Sequence, residues 1–165
     1  MPDQTNPAPH VRDATIDDVE AIGRIHFATH LETYSDVFPA GSIEAFPPER
    51  RAEMWRQVLE NGWGRLWVAE AGGSVVGFAS VSAPRDEAPV RDIELGAIYL
   101  LASHHGSGAG QALLDAALDG GPASLWVLAD NPRARAFYAR NGFVPDGAEK
   151  NDKQFGNVHI VRLVR

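Results

Sequence analysis

The stretch from Ile93 to Gly110, IELGAIYLLASHHGSGAG, constrains the fold of this 165-residue chain more than any other segment. The unbroken apolar run from Ala97 to Leu101 is typical of a strand that is covered on both faces. The polar residues Ser103 to His105 end that run, and glycines follow. Apolar residues at helical spacing between Gln111 and Leu118 then predict a helix. The segment therefore predicts a buried strand, a glycine-rich turn and a helix in direct succession.

The glycine-rich turn has a specific chemical use. Glycine lacks a Cβ atom, so its backbone can approach an anion closely and can adopt positive φ. The first N–H groups of a helix have no internal acceptor, and the helix dipole is positive at that end. Together these features favour a phosphate-binding turn. A plain strand-to-helix connection is the alternative that this stretch alone leaves open, because short glycine motifs recur by chance.

Composition narrows the function class. With 44% hydrophobic and 22% charged residues, the chain predicts one soluble domain with a sizeable core. A formal charge of −7 argues against nucleic-acid binding and suits cationic ligands, amines among them. The absence of cysteine excludes disulfides and thiolate metal sites, and it is compatible with a cytoplasmic location. The sequence shows no membrane span and no signal-peptide pattern.

The remaining pattern predicts a mixed α/β domain over residues 10–165, preceded by a flexible arm over residues 1–9. A helix follows Asp18, and another runs from about Glu49 to Glu60. The predicted strands are His10 to Arg12, Arg65 to Ala71, Ser74 to Ser82, Val90 to Leu101, Leu125 to Ala129, Phe143 to Pro145 and Val158 to Val164. A helix covers Arg133 to Arg140, and Asp146 to Asn157 is predicted to be a polar loop.

Two motifs resemble those of the GNAT superfamily of acyl-CoA-dependent N-acetyltransferases. IYLLASHHGSGAGQALL is similar to its cofactor-binding motif, Q/R-x-x-G-x-G/A after a strand. LWVLADNPRARAFYARNGFVPDG is similar to its second motif, in which an Asn precedes a helix that carries a Tyr. The resemblance extends over nearly the whole chain after the first ten residues. It implies an α/β (α+β) fold with a central, mixed, mostly antiparallel twisted sheet of about six to seven strands and about four helices.

The resemblance also implies acetyl-CoA as co-substrate and no metal. The pantetheine arm would hydrogen-bond the strand backbone at Ile98, Tyr99 and Leu100, and Asn131 would contact the pantetheine or thioester region. The pyrophosphate would lie on the backbone of His105, Gly106, Ser107, Gly108, Ala109, Gly110 and Gln111. The chain departs from the family at one position, because His105 stands where the motif has Gln or Arg.

An acetyl transfer to an amine by direct attack, through a tetrahedral intermediate, needs a neutral amine and a proton for the leaving thiolate. The resemblance makes Tyr138 the proton donor; a packed helical aromatic is the structural alternative. Glu94 is the candidate base, with Asp92 as a weaker one. The structural alternative for Glu94 is a carboxylate at the strand end, in solvent or in a salt bridge with Arg91. Some family members use a carboxylate on the following strand, but Trp126 occupies that position here.

The acceptor is expected to be a small-molecule amine. The family places the acceptor site among the first helices, their connecting loop and the final hairpin loop. This points to His30, Glu32 and Tyr34, together with His26 and Phe38, and less strongly to Trp63 and Glu149. His26 and His30 lie one helical turn apart, but a third zinc ligand is missing, so we expect no metal site.

Three other functions compete with this interpretation. Gly106 and Gly108 imitate a dinucleotide-binding fingerprint, but Gln111 falls at its third glycine. A non-catalytic acyl-CoA sensor of the same fold is a second alternative, favoured by His105. A protein N-terminus or lysine as the acceptor is the third. By analogy with the family, a homodimer through the terminal hairpin is possible.

Overall fold

The computed structural model describes residues 8–165, so the predicted arm falls outside the described part except for Ala8 and Pro9. Its four helices are α1 (Val19–Tyr34), α2 (Pro48–Glu60), α3 (Ala109–Leu118) and α4 (Pro132–Arg140). Its strands are β1 (His10–Asp13), β2 (Gly64–Ala71), β3 (Ser74–Ser82), β4 (Glu94–Leu100), β5 (Ser124–Leu128), β6 (Val144–Asp152) and β7 (Val158–Val164).

The seven strands form one sheet in the order β1-β2-β3-β4-β5-β7-β6. Only β4 and β5 run parallel, and all other neighbours are antiparallel. This confirms the predicted mixed, mostly antiparallel α/β fold. β6 follows α4 in the chain and pairs with β7, which in turn pairs with β5. β6 is therefore the edge strand of the sheet on the side opposite β1.

The two faces of the sheet are covered by different helices. On one face, α1 and α2 pack on β2, β3 and β4 around a core that contains Ile22, Trp55 and Phe78. On the other face, α3 and α4 cover a core that contains Leu113, Leu125 and Tyr138. Each α-helix buries an apolar stripe of this kind against the sheet, which is the main source of its stability in water.

The pairing of β3 with β4, near the centre of the sheet, contains a register shift. Ser80 pairs with Ala97 and Val81 with Leu95, so Gly96 is an extra residue in β4. Such a bulge bends its strand. The bend lies at the point where β4 leaves β5, and it therefore helps to open the sheet.

Several predicted bounds need correction. The helix after the glycines begins at Ala109 rather than Gln111, which places Gly110 inside its first turn. The loop predicted for Asp146 to Asn157 is largely strand, because β6 pairs with β7 as far as Asp152. Its polar composition is that of an exposed edge strand. β4 begins at Glu94 rather than Val90. Within residues 8–165, no helix is long and apolar enough to cross a membrane.

Candidate active site

A cleft opens where β4 and β5 separate. The two strands pair only at Glu94 and Ser124, and they diverge beyond that point. The resulting cavity has a volume of about 460 Å³. It brings together most of the predicted cofactor residues, namely Ile98, Tyr99, Leu100, His105, Gly106, Gly108, Gly110, Gln111, Asn131 and Tyr138. Ser107 and Ala109 belong to the same turn but do not line the cavity.

The backbone of β4 presents alternate residues to this cleft. The N–H of Leu101 donates to the carbonyl of Val76, so this pair is hydrogen-bonded across β3 and β4. In an antiparallel ladder the next such pair is Tyr99 with Phe78, while residues between them point their backbone groups away from the partner strand. Ile98 and Leu100 therefore direct their backbone groups toward the cleft, and Tyr99 directs its own toward β3.

The glycine turn forms the outer end of the cleft. Gly106 and Gly108 have φ values of 79° and 87°, a region that favours glycine. The first helical hydrogen bond of α3 runs from Ala112 to the carbonyl of Gly108. The N–H groups of Gly110 and Gln111 precede that bond and have no acceptor within the helix. These groups, at the positive end of the helix dipole, can bind a phosphate.

His105 contributes its ring at the same end. Its Nε2 lies 2.9 Å from the carbonyl oxygen of Leu100 and 3.3 Å from Nη1 of Arg133 on α4. Arg133 also lines the cavity. The sequence analysis missed this residue. Its position two residues after Asn131 predicted the first turn of α4, but nothing in the spacing indicated that this turn lies against the glycine turn.

Asn131 and Tyr138 are positioned by α4. Asn131 Oδ1 accepts a hydrogen bond from the N–H of Ala134 at 3.1 Å, which caps the helix. Two turns later, Tyr138 packs edge-on against Phe137 and Phe143 and also lines the cavity. Burial, and secondarily Tyr34, raise the pKa of Tyr138. The phenol therefore stays protonated at neutral pH and can serve as a proton donor.

Glu94 lies next to the cleft rather than in it. Its side chain is buried at the start of β4 and does not line the cavity. Burial and the charge of Asp86 raise the pKa of Glu94, while Arg85 and Lys150 act in the opposite direction. Asp92 is exposed in the preceding loop. Arg91, the salt-bridge partner considered for Glu94, donates instead to the carbonyl of Arg165.

The predicted acceptor residues have three different surroundings. Tyr34 lines the cavity, and burial raises its pKa while a hydrogen bond with Asn131 lowers it. Glu32 instead accepts a hydrogen bond from the N–H of Ala102 at 3.0 Å, and so links the end of α1 to the turn after β4. His30 is buried behind Tyr34, with Nδ1 3.2 Å from Nη1 of Arg51.

The two helical histidines are neutral packing residues in this structure. Burial and nearby Arg51 lower the pKa of His30 to about 3. Burial, His30 and Arg51 lower the pKa of His26 to about 2. His26 Nδ1 accepts a hydrogen bond from Trp55 Nε1 at 3.1 Å. Among residues 8–165, no group of three or more metal-ligating side chains is found.

Aromatic side chains from two loops meet over His30. Phe38, from the loop after α1, stacks on Phe155 from the β6–β7 connection, with ring centroids 5.8 Å apart. Both rings also contact the ring of His30 edge-on. The other two candidates lie elsewhere: Trp63 is exposed in the turn before β2, and Glu149 pairs with His159 at 3.4 Å.

The sequence model of the acetyltransferase (GNAT) family matches residues 27–143, which is most of the chain. The protein belongs to the GNAT family of acetyltransferases. The uncharacterized N-acetyltransferase YuaI of Bacillus subtilis is 33% identical to it, over 91% of this chain and 87% of the relative. A probable N-acetyltransferase of Mycobacterium tuberculosis is 26% identical, over 91% of this chain and 88% of its own. The predicted family and the predicted enzyme class, an acyltransferase, are confirmed.

Solved structures support the fold of this acetyltransferase. An N-acetyltransferase from Staphylococcus aureus superposes with a TM-score of 0.73 at 21% identity, covering 95% of this chain and 97% of that one. A putative acetyltransferase from Salmonella typhimurium, solved with acetyl-CoA, gives 0.72 at 20% identity, with coverage of 96% and 93%. The PaiA N-acetyltransferase from Thermoplasma acidophilum, solved with coenzyme A, gives 0.68 at 20%, with coverage of 93% and 97%.

Proposed function

We propose that this acetyltransferase transfers the acetyl group of acetyl-CoA to the primary amine of a small molecule by direct attack. The observation that carries the proposal is the cleft between β4 and β5, which joins a phosphate-binding turn at one end to Tyr138 within the same cavity. Arg133 and the N–H groups of Gly110 and Gln111 suit the pyrophosphate of the co-substrate. The strand-like backbone of Ile98 and Leu100 suits the amide groups of its pantetheine arm.

Each residue at the inner part of the cleft has a role in this proposal. The amine nitrogen bonds to the acetyl carbon, and the bond between that carbon and sulfur breaks. A backbone N–H of β4, that of Ile98, stabilises the negative charge that develops on the carbonyl oxygen. Tyr138 gives its phenolic proton to the leaving sulfur. Glu94 takes the proton of the amine through water, since its side chain does not line the cavity itself.

The contact between two loops above His30 favours a small acceptor molecule. The stacked rings of Phe38 and Phe155 join the α1–α2 loop to the terminal hairpin. Pro39 also packs against Gly156, where an added Cβ would clash with the proline ring. A groove that must hold an extended polypeptide needs these two loops apart. Their contact therefore favours a small molecule over a protein N-terminus or lysine.

Calorimetric titration with acetyl-CoA, with NAD as the control ligand, tests the proposal. We expect binding of acetyl-CoA alone; binding of NAD alone would contradict the proposed co-substrate. Release of free CoA is then followed with a panel of small primary amines and with lysine-containing peptides. The assay is direct because the chain has no cysteine, so every new thiol comes from CoA. Binding without turnover on any amine would favour a sensor instead.

The cytoplasmic location and the homodimer stay predictions. Strand β6 lies at the edge of the sheet and pairs only with β7 in the described chain, which leaves its outer side open to a second copy. Light scattering coupled to size-exclusion chromatography measures the oligomeric state directly, and a monomer at all concentrations would contradict the dimer.

A further inference from the structure

A charged cluster surrounds Trp126 on the face of the sheet that carries α1 and α2. Glu94 pairs with Ser82 and with Ser124, so its side chain shares the face of Phe78, which packs against α1. Trp126 lies two residues after Ser124 and points to that same face. The main contacts of α1 and α2 with the sheet are those with β2, β3 and β4. The side chain of Lys150 beside Trp126 is half exposed, so the surface there is open to a molecule that enters from this side.

A primary ammonium group already sits against Trp126. Nζ of Lys150 on β6 lies 4.2 Å from the ring centroid of Trp126 and 3.8 Å from Oδ1 of Asp86. The indole N–H of Trp126 lies 3.2 and 3.3 Å from the two carboxylate oxygens of Asp86. The indole thus fixes the carboxylate, and the two groups together surround the ammonium with an aromatic face and a negative charge. Both favour a cation.

Two cations share this site, but only one is free to leave. Arg162 is held by Asp146 at 2.7 Å and by Asp86 at 3.4 Å, and its side chain is only 12% exposed. The side chain of Lys150 is 49% exposed, and its contact with Asp86 is long. An exposed ion pair of this kind contributes little free energy. Lys150 can therefore be displaced, while Arg162 stays in place.

The site borders the cleft in which acetyl transfer takes place. Trp126 lines the cavity together with Gly96 and Tyr34. Glu94, the candidate base, shares the face of Trp126 and lies close enough to Asp86 and Lys150 for their charges to act on it. An ammonium held where Nζ of Lys150 lies is therefore close to both the cleft and the group that would take its proton.

We infer that Asp86 and Trp126 form the subsite for the primary ammonium of the acceptor, and that Lys150 holds this subsite until the acceptor displaces it. The inference rests on the proposed amine substrate and adds its means of recognition. In this inference the acceptor binds as a positively charged ammonium. Its subsite is formed by the β3–β4 loop and by β5, not by α1.

Nuclear magnetic resonance tests this inference without an acetylation assay. The probe is phenethylammonium, and 2-phenylethanol is the uncharged control. The signal is the indole N–H resonance of Trp126, identified among the four tryptophans with the Trp126→Phe variant. Titrations are run on the unsubstituted protein and on Lys150→Gln. The matched control is Lys153→Gln, which removes the only other lysine of the chain.

We expect phenethylammonium, but not the alcohol, to shift the Trp126 resonance. Lys150→Gln should lower the dissociation constant roughly two- to fivefold, because the competing internal cation is gone. Lys153→Gln should leave it unchanged, and Asp86→Asn should raise it. An unchanged constant in Lys150→Gln, or equal shifts from the alcohol, would overturn the inference. Acetyl-CoA binding is measured on the same samples, so its failure, which concerns the proposed function, is seen separately.

Discussion

Arg133 and His105 lie side by side, with Nη1 of the arginine 3.3 Å from Nε2 of the histidine, although 28 positions separate them in the sequence. His105 stands where the family motif has Gln or Arg, and Arg133 belongs to the first turn of another helix, α4. A permanent positive charge is thus present at the glycine turn even though the motif position does not carry it. Arginine suits this place because its planar group binds phosphate in two-point contact.

Substitution of Arg133 by Ala should weaken acetyl-CoA binding about tenfold, the usual size of a lost hydrogen bond to a charged group. Binding is measured by calorimetry. Arg135→Ala is the matched control, since Arg135 is exposed on the same helix and donates to the carbonyl of Ala129 outside the cavity. Acetylpantetheine, which lacks the pyrophosphate, should react equally well with both variants. Equal acetyl-CoA affinity in the two variants would remove Arg133 from the phosphate site.

Substitution of Gly108 by Val should abolish acetyl-CoA binding and leave the protein folded. The φ of 87° at Gly108 is unfavourable for a β-branched residue, so the turn must change its path. Gly120→Val is the control, because Gly120 has a φ of 70° after α3 but does not line the cavity. Both variants should lose similar stability in chemical denaturation. Retained affinity in Gly108→Val would contradict the assignment of the turn.

The positions of most strands along the chain and the glycine turn could be predicted because they depend on local pattern. Alternating or continuous apolar runs indicated the strands, and the hairpin at Gly72 and Gly73 was confirmed almost to the residue. Only the start of β6 was predicted, and its residues from Asp146 to Asp152 were expected to be loop, because pairing with β7, and not their own polar sequence, keeps them extended. Local pattern carries no information about such a partner.

The candidate site residues within each motif could be identified from the sequence, but the contacts between motifs could not. Ile98, His105 and Tyr138 each belong to a recognisable segment, and all three line one cavity. The contacts of Arg133 with His105, and of Asp86 with Trp126, join segments that are far apart in sequence. They follow from the packing of helices and loops on the sheet, which no spacing rule contains.

Substitution of Tyr138 by Phe should lower kcat roughly a hundredfold, the lower range for loss of a general acid. The affinity for acetyl-CoA should stay within about twofold, because the ring still packs on Phe137 and Phe143. Steady-state kinetics and calorimetry on the same preparation separate the two effects. If kcat is unchanged, the proton donor is another group, and Tyr34 in the same cavity is the next candidate.

Substitution of Glu94 by Gln should lower the rate most at pH values where Glu94, whose pKa is raised by burial, is already deprotonated but the amine is still largely protonated. A primary amine has a pKa of about 10, so a base is needed most where the amine is largely protonated. The ratio of the two rates should approach one as the pH approaches that value. Asp92→Asn, at the exposed neighbouring carboxylate, is the matched control. A pH–rate profile that keeps its shape and height in Glu94→Gln would show that Glu94 is not the base.

The buried histidines should make the protein less stable as the pH falls. The folded protein holds the pKa of His26 at about 2 and that of His30 at about 3, below the usual 6.5, so the unfolded chain binds protons more readily. Their contribution to stability is present above pH 6.5 and is lost as the pH falls toward 3. As the pH falls from 7 to 5, each of these histidines should lower the free energy of unfolding by about 1–2 kcal/mol.

Urea denaturation of His26→Asn at these two pH values measures that loss. Asparagine keeps an oxygen that can accept the hydrogen bond from Trp55 Nε1, and it does not titrate. The variant should be less stable than the unsubstituted protein at pH 7, because the ring contacts with Phe78 and Tyr99 are lost. The difference should shrink at pH 5, since only the unsubstituted protein still has to bury a titrating group at this position. A difference between the two proteins that stays constant from pH 7 to pH 5 would exclude His26 as a source of the acid sensitivity.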